Sequence, residues 1–177
     1  VEDEDKHEKK LLEMIDEESL RYTGSIVLGL NDALVELTGA LAGFTLTLQK
    51  PDIIAVAGLV TGVAASFSMA ASEYLSSRTE KTDREPLRSA FYTGLAYFFT
   101  VIVLILPFLV LKKPYFSLGL TLLGAVLIIW VFNFYVSVAQ DVSFKERFRE
   151  MVLISLGVSL FTFLIGILIR NFLKIDI

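Results

Sequence analysis

The sequence predicts an all-α integral membrane protein with five transmembrane helices. Of its 177 residues, 54% are hydrophobic and 20% are charged, whereas water-soluble domains average roughly 45–50% apolar and about 25% charged residues. The apolar residues fall into five runs, and each is longer than the roughly 20 residues that a helix needs to cross a bilayer. Short polar breaks separate these runs, which predicts one membrane domain with short connections.

The first 22 residues precede the apolar runs and are highly charged. Apolar residues such as Leu11 and Ile15 recur there at roughly helical spacing, which predicts a cytoplasmic helix. The acidic start, Glu2 to Asp5, differs from the basic start of a signal peptide. Because there is no initiator methionine, we expect that residue 1 is not the natural start. We place a domain boundary here, with residues 1–22 as the helix and residues 23–177 as the membrane domain.

The five apolar segments cover about residues 24–48, 53–75, 90–111, 115–139 and 151–173. Two of the breaks between them contain a proline, Pro51 or Pro114, that stops the preceding helix. Segments three to five have almost no ionisable residues away from their ends, which is typical of a lipid-facing scaffold. Of the 16 lysines and arginines, 11 lie on the side that carries the N-terminus. The positive-inside rule therefore predicts a cytoplasmic N-terminus and a C-terminus outside.

Composition excludes several kinds of site. There is no cysteine, which rules out disulfides, thiolate metal sites and cysteine nucleophiles. A single histidine rules out a multi-histidine zinc or haem site within one chain. A net charge of −4, with no long basic block, argues against nucleic acid as a partner. Hydrolase and nucleotide-binding signatures are absent, and we expect no catalytic residue.

The first two segments each contain a glycine pair at a spacing of four residues. The pairs are Gly39 with Gly43 and Gly58 with Gly62. Small residues at this spacing allow membrane helices to approach closely. We therefore expect helix packing at these glycines, and the spacing leaves open whether the contact lies within one chain or between two.

Two carboxylates lie inside the first segment, and a third lies near the end of the second. Asp32 and Glu36 are four residues apart, so they project about 40° apart on one helix face. A charged side chain at membrane depth costs about 2.5–3.5 kcal/mol. No lysine or arginine is available at that depth. We therefore expect one of two arrangements: one carboxyl group holds a proton, or a cation lies between the two carboxylates.

Met69 and Glu73 repeat the four-residue spacing in the second segment. With a rise of 1.5 Å per residue, Glu73 lies roughly 3 Å from the cytoplasmic surface, Met69 roughly 9 Å, Asp32 roughly 12 Å and Glu36 roughly 18 Å. A thioether beside carboxylates favours a late first-row ion such as Fe²⁺ over Mg²⁺ or Ca²⁺. The alternatives are that Met69 fills the core, that Glu73 reaches to water, and that Asp32 only bonds to a neighbouring helix.

Two short motifs resemble the vacuolar iron transporter family. The run Gly29-Leu30-Asn31-Asp32-Ala33, with Glu36 one turn later, resembles the Gly-x-x-Asp-Gly start of that family, with alanine where many relatives have a second glycine. The run Ser68-Met69-Ala70-Ala71-Ser72-Glu73-Tyr74-Leu75-Ser76 is similar to its second-helix signature. The resemblance extends over roughly residues 20–177.

This resemblance implies a homodimer, formed through helices one and two, that moves Fe²⁺ out of the cytosol in exchange for protons. Mn²⁺ is a second expected substrate, and the cell membrane is the expected location. Asp32 and Met69 match the family's pore ligands, and Glu73 matches the carboxylate at its cytoplasmic entrance. The metal is then cargo, and we expect no tightly bound cofactor.

Plant and fungal relatives have a long glutamate-rich insert between helices two and three. Here the link from Ser76 to Arg88 has only three acids, Glu80, Asp83 and Glu85, among four basic residues. A metal collector must therefore lie elsewhere or be absent.

The N-terminal segment offers a weaker metal candidate. Glu4 and His7 have the Glu-x-x-His spacing of ferritin-like di-iron proteins, although this motif alone is weak and a solvated charged helix explains the two residues better. Some relatives resemble a fusion to a rubrerythrin-like domain, and residues 1–22 look like its last helix. An alternative function follows, namely a membrane anchor for a ferritin-like di-iron oxidase without transport of its own. An anchor does not need a buried Asp32, whereas a transporter does. A dimeric scaffold whose acids stay protonated is the third alternative.

Overall fold

The computed structural model describes residues 2–79, 85–140 and 143–173, and the side chains of residues 22–79, 85–138 and 143–172. Within these ranges the chain forms five α-helices and no strand, which confirms the all-α prediction. The helices are α1 (Glu2–Leu48), α2 (Pro51–Thr79), α3 (Pro86–Val110), α4 (Pro114–Gln140) and α5 (Phe144–Leu173).

Each helix contains a stretch that is long and apolar enough to cross a membrane. These stretches are Tyr22–Leu48, Pro51–Thr79, Pro86–Val110, Pro114–Val138 and Phe144–Phe172. The prediction of five membrane spans is therefore confirmed at the level of length and composition. The orientation of the termini and the homodimer stay predictions.

The helices extend beyond the apolar segments from which they were predicted. Helix α5 begins at Phe144 and includes charged residues that precede the predicted apolar segment 151–173. Helix α1 begins at Glu2 and passes residue 22 without interruption, so the backbone does not change where we placed the domain boundary. Glutamate, lysine and arginine are good helix formers, and hydropathy therefore marks the membrane-embedded part of a helix and not its ends. The domain division itself stays a prediction.

Prolines and one residue with a left-handed backbone conformation lie at the helix boundaries. Pro51, Pro86 and Pro114 each occupy the first position of a helix, where the missing N–H costs nothing. Gln49 has a φ of 53° between α1 and α2, which lets the chain reverse direction there.

The buried core surrounds the membrane part of α1, which packs against all four other helices. Leu34, Leu37 and Leu41 on α1 are at most 1% exposed, and they share one buried cluster with residues of α3 such as Tyr97 and Val101. Large apolar side chains on the outer faces of the helices stay exposed, which suits a chain whose outer solvent is lipid.

Both glycine pairs lie at contacts between helices of this same chain. A β-carbon built on Gly39 would lie 3.0 Å from Val158 Cγ1 on α5, and one on Gly43 would lie 3.5 Å from a backbone oxygen of α5. A β-carbon on Gly58 would lie 2.8 Å from Leu41 Cδ2, and one on Gly62 would lie 2.5 Å from Val101 Cγ1. Small residues here permit packing of α1 on α5 and of α2 on α1 and α3.

Candidate metal site in the membrane

The site begins with a close approach of α1 and α3 at Gly29. A β-carbon at this position would collide with the backbone oxygen of Thr93 and lie 3.0 Å from its carbonyl carbon. The Thr93 hydroxyl also donates a 3.0 Å hydrogen bond to the backbone oxygen of Ser25. The first residue of the Gly29–Ala33 motif is therefore a packing position, and it holds α3 against the helix that carries the acids.

Tyr97, one turn after Thr93 on α3, links α3 to Glu36. Its side chain is completely buried, and its hydroxyl donates a 2.8 Å hydrogen bond to Glu36 Oε2. Tyr97 is not among the site residues predicted from the sequence. A tyrosine midway along an apolar segment needs a polar partner for its hydroxyl, which is a usable signal, but nothing in the sequence identifies Glu36 as that partner.

Asp32 and Glu36 lie one turn apart on α1 and interact electrostatically, as the sequence spacing suggests. Asp32 is partly exposed and Glu36 is exposed. Among the residues that the structure describes, no side chain forms an ion pair with either carboxylate, and none donates a hydrogen bond to Asp32. The two acids are therefore not neutralised by a cationic side chain from the described part of the chain.

Asn31, which precedes Asp32 in the sequence, is another polar residue in this part of α1. Its Oδ1 atom is buried and has no hydrogen-bond partner among the described residues. A side-chain amide oxygen is a ligand type for hard divalent cations. From the sequence, Asn31 is only one residue of the Gly29–Ala33 motif and is not a predicted ligand.

Glu73 lies in a separate polar cluster at the N-terminal end of the first membrane span. It is 9% exposed, and Ser25 donates a 2.7 Å hydrogen bond to its Oε1. Ser77 donates a second, longer hydrogen bond of 3.4 Å to the same oxygen. In this conformation the carboxylate is held between α1 and α2 and does not extend into water.

Met69 is partly buried and packs against the hydrophobic core. The neighbouring part of α2 lies directly on α3, since a β-carbon built on Gly94 would be 3.0 Å from Ala70 Cβ.

The structure brings Asp32, Glu36 and Tyr97 together, and it places Glu73 in a separate cluster with two serines.

No single group of three or more acidic or histidine side chains that could hold a metal ion occurs within the described part of the chain. The side chains of Glu4 and His7 lie outside the described residues, as do Glu80 and Asp83. The candidate ligands from one chain are therefore few, and they are spread along α1 and α2.

The family model described as the VIT family matches residues 23–85. The matched segment covers the membrane part of α1, all of α2 and the link that leads to α3. It contains Asp32, Glu36, Met69 and Glu73, and it ends before Tyr97. No curated protein matches the sequence.

Proposed function

We propose that this chain, which belongs to the VIT family, moves Fe²⁺ out of the cytosol in exchange for protons and also accepts Mn²⁺. Family membership and five apolar helices make it a multi-pass membrane protein of a metal-transporting family. Fe²⁺ and Mn²⁺ as cargo, the direction of movement, the exchange with protons and the cell membrane as location are our proposal.

The observation that carries the proposal is the Asp32 and Glu36 pair on α1. Two acids one turn apart within a membrane span are costly and repel each other when both are ionised. No described cationic side chain pairs with them, and a divalent cation would neutralise both charges at once. We infer that these residues bind the metal during its passage.

The chemistry of the neighbouring groups favours iron and manganese over magnesium. Carboxylates bind many divalent ions, but the thioether of Met69 is a softer ligand that Mg²⁺ does not favour. Met69 and the acids lie on adjacent helices that contact each other. A mixed oxygen and sulfur site formed by α1 and α2 suits Fe²⁺ better than Mg²⁺.

Proton exchange follows from the charge that the site would hold when empty. After the metal leaves, two anionic carboxylates would face each other at membrane depth, and uptake of protons removes that cost. Each transport cycle then replaces the metal charge by protons on the same groups. The two ions move in opposite directions for this reason.

Glu73 lies at the predicted cytoplasmic end of this path. Its carboxylate now accepts hydrogen bonds from Ser25 and Ser77. An incoming metal ion would take the place of these donors, so metal binding at Glu73 would require these hydrogen bonds to break. The next ligands toward the membrane centre are Met69 and then Asp32.

A homodimer completes the site in this proposal. The described residues of one chain do not bring three acids together, and a transported metal ion needs more than two protein ligands if it sheds most of its water. A second copy, placed against α1 and α2, would supply the same ligands again. We therefore propose that metal passes between two copies of the chain.

The test is ion flux into sealed proteoliposomes under anaerobic conditions. Vesicles would contain a dye that responds to the added metal, quenched by Fe²⁺ or Mn²⁺ or sensitive to Mg²⁺, or a pH-sensitive dye, and Fe²⁺, Mn²⁺ or Mg²⁺ would be added outside. We expect Fe²⁺ and Mn²⁺ to enter while protons move the opposite way, and Mg²⁺ to stay outside. Metal entry without proton movement would contradict the exchange, and no entry with a folded protein would contradict transport itself. Protein-free vesicles are the control.

A further inference from the structure

We propose that Tyr97 is a positioning residue that holds Glu36 beside Asp32, so that both carboxylates face the same cation. This inference rests on the proposed metal path, and it adds α3 to a site that otherwise involves α1 and α2. The evidence for this role is the 2.8 Å hydrogen bond that the Tyr97 hydroxyl donates to Glu36 Oε2.

The position of the Tyr97 hydroxyl is fixed by the packing of its ring. The side chain is completely buried, in the same cluster as Ala33 and Leu37 of α1. A buried ring cannot turn away without opening a void in a close-packed core. The collision that any side chain at Gly29 would make with Thr93 shows that α1 and α3 are already in contact one turn before Tyr97. The donor is therefore held at a set distance from α1.

Glu36, in contrast, has little else to fix it. Its side chain is exposed and has several rotatable bonds, and a negative charge on Asp32, one turn away on the same helix, would repel it. Repulsion between the two would move Glu36 away from Asp32 in the absence of a donor. The bond from Tyr97 opposes that movement and keeps both acids on one side of α1.

The bond also leaves one carboxylate oxygen available. Tyr97 donates to Oε2, and no described side chain donates to Oε1 of Glu36. A carboxylate that binds a hydroxyl at one oxygen can bind a metal ion through the other. Tyr97 thus determines which oxygen faces the cation and how far it lies from Asp32.

A merely structural Tyr97 would join α1 to α3 and have no influence on metal binding. The two roles differ in one measurable way, because a positioning role acts only through Glu36. Removing the hydroxyl should therefore weaken metal binding when Glu36 is present and have no further effect when Glu36 has already lost its charge.

The experiment measures equilibrium binding of Mn²⁺ to the purified full chain by electron paramagnetic resonance. It compares the native chain with Tyr97→Phe, Glu36→Gln and the double variant. We expect Tyr97→Phe alone to weaken binding about tenfold, as for loss of a hydrogen bond to a charged group, and to change it less than twofold in the Glu36→Gln background. Tyr135→Phe is the matched control, since it removes an exposed phenol hydroxyl from α4 and should leave binding unchanged.

Fe²⁺ flux in vesicles supplies the second readout. Tyr97→Phe should raise the half-saturating Fe²⁺ concentration about tenfold and leave the maximal rate within twofold, because the site is misplaced and not removed. An equal effect of Tyr97→Phe in both backgrounds, or native affinity in Tyr97→Phe, would overturn the inference. If Tyr97→Phe does not fold, Glu36→Asp tests the same point, because its shorter side chain cannot reach the hydroxyl, and native affinity there overturns the inference.

The two proposals fail in different ways. If Tyr97→Phe weakens metal binding only when Glu36 is present, but the native chain shows no flux, the result would contradict transport and support the role of Tyr97. Flux from the native chain that Tyr97→Phe does not alter would contradict only the role of Tyr97. A native chain that binds no Mn²⁺ or Fe²⁺ would contradict both.

Discussion

The Ser25 hydroxyl donates a 2.7 Å hydrogen bond to Glu73 Oε1 and so joins α1 to α2 across 48 residues of sequence. Both residues are buried, and Thr93 of α3 donates to the backbone oxygen of the same serine. Three helices therefore meet at one polar cluster, at the predicted cytoplasmic end of the bundle. At the centre of this cluster is the Glu73 carboxylate, which accepts hydrogen bonds from the hydroxyls of Ser25 and Ser77.

Replacing Ser25 by alanine should destabilise the protein. The change removes the shorter of the two hydrogen bonds to a buried carboxylate and leaves that group poorly satisfied, at a cost of about 1–3 kcal/mol. Unfolding in detergent, followed by circular dichroism, measures the loss. Ser137→Ala is the matched control, because the exposed Ser137 hydroxyl bonds only within its own helix. Equal stability of the two variants would show that the cluster does not hold these helices together.

Replacing Gly29 by alanine should destabilise the contact between α1 and α3. The new β-carbon would collide with the backbone of Thr93, and overpacking of this kind costs about 1–3 kcal/mol. Thermal unfolding of the purified chain measures the effect. Gly119→Ala is the control, since nothing lies within 4 Å of a β-carbon there, and alanine is the better helix former by up to about 1 kcal/mol. A Gly29→Ala variant as stable as Gly119→Ala would contradict the close approach.

Replacing Met69 by leucine should weaken Fe²⁺ binding more than it weakens folding. Leucine preserves most of the volume, and such exchanges usually cost less than about 1.5 kcal/mol, but the thioether ligand is lost. We expect a severalfold higher half-saturating Fe²⁺ concentration in vesicle flux. Met151→Leu is the control, because Met151 also packs partly buried against the core. If both variants behave alike in flux, Met69 is a packing residue and not a ligand.

Hydropathy was sufficient to predict all five membrane helices, because a membrane span needs about 20 apolar residues in one run. It placed the ends less well. Helix α5 starts at Phe144, among charged residues that favour helix as strongly as the apolar ones. The same reason explains why α1 continues through residue 22, where the change in composition suggested a boundary.

The partners of the site residues were beyond the reach of the sequence. The four-residue spacing correctly places Asp32 and Glu36 on one face, because both lie on a single helix of known geometry. The bond from Tyr97 to Glu36 spans 61 residues and depends on how α3 packs on α1. Glycine spacing, similarly, marks close packing but does not say that Gly39 faces α5. Contacts between helices need the tertiary structure.

Fe²⁺ flux by the Asp32→Ala variant is the most direct test of a metal path along α1. The comparison is with the native chain and with Asp52→Ala, which removes an exposed carboxylate from the first turn of α2. All three proteins should purify with the same helical content and unfolding temperature. We predict that native and Asp52→Ala vesicles take up Fe²⁺ at similar rates and that Asp32→Ala vesicles take up none. Native rates of uptake from a folded Asp32→Ala chain would contradict the account.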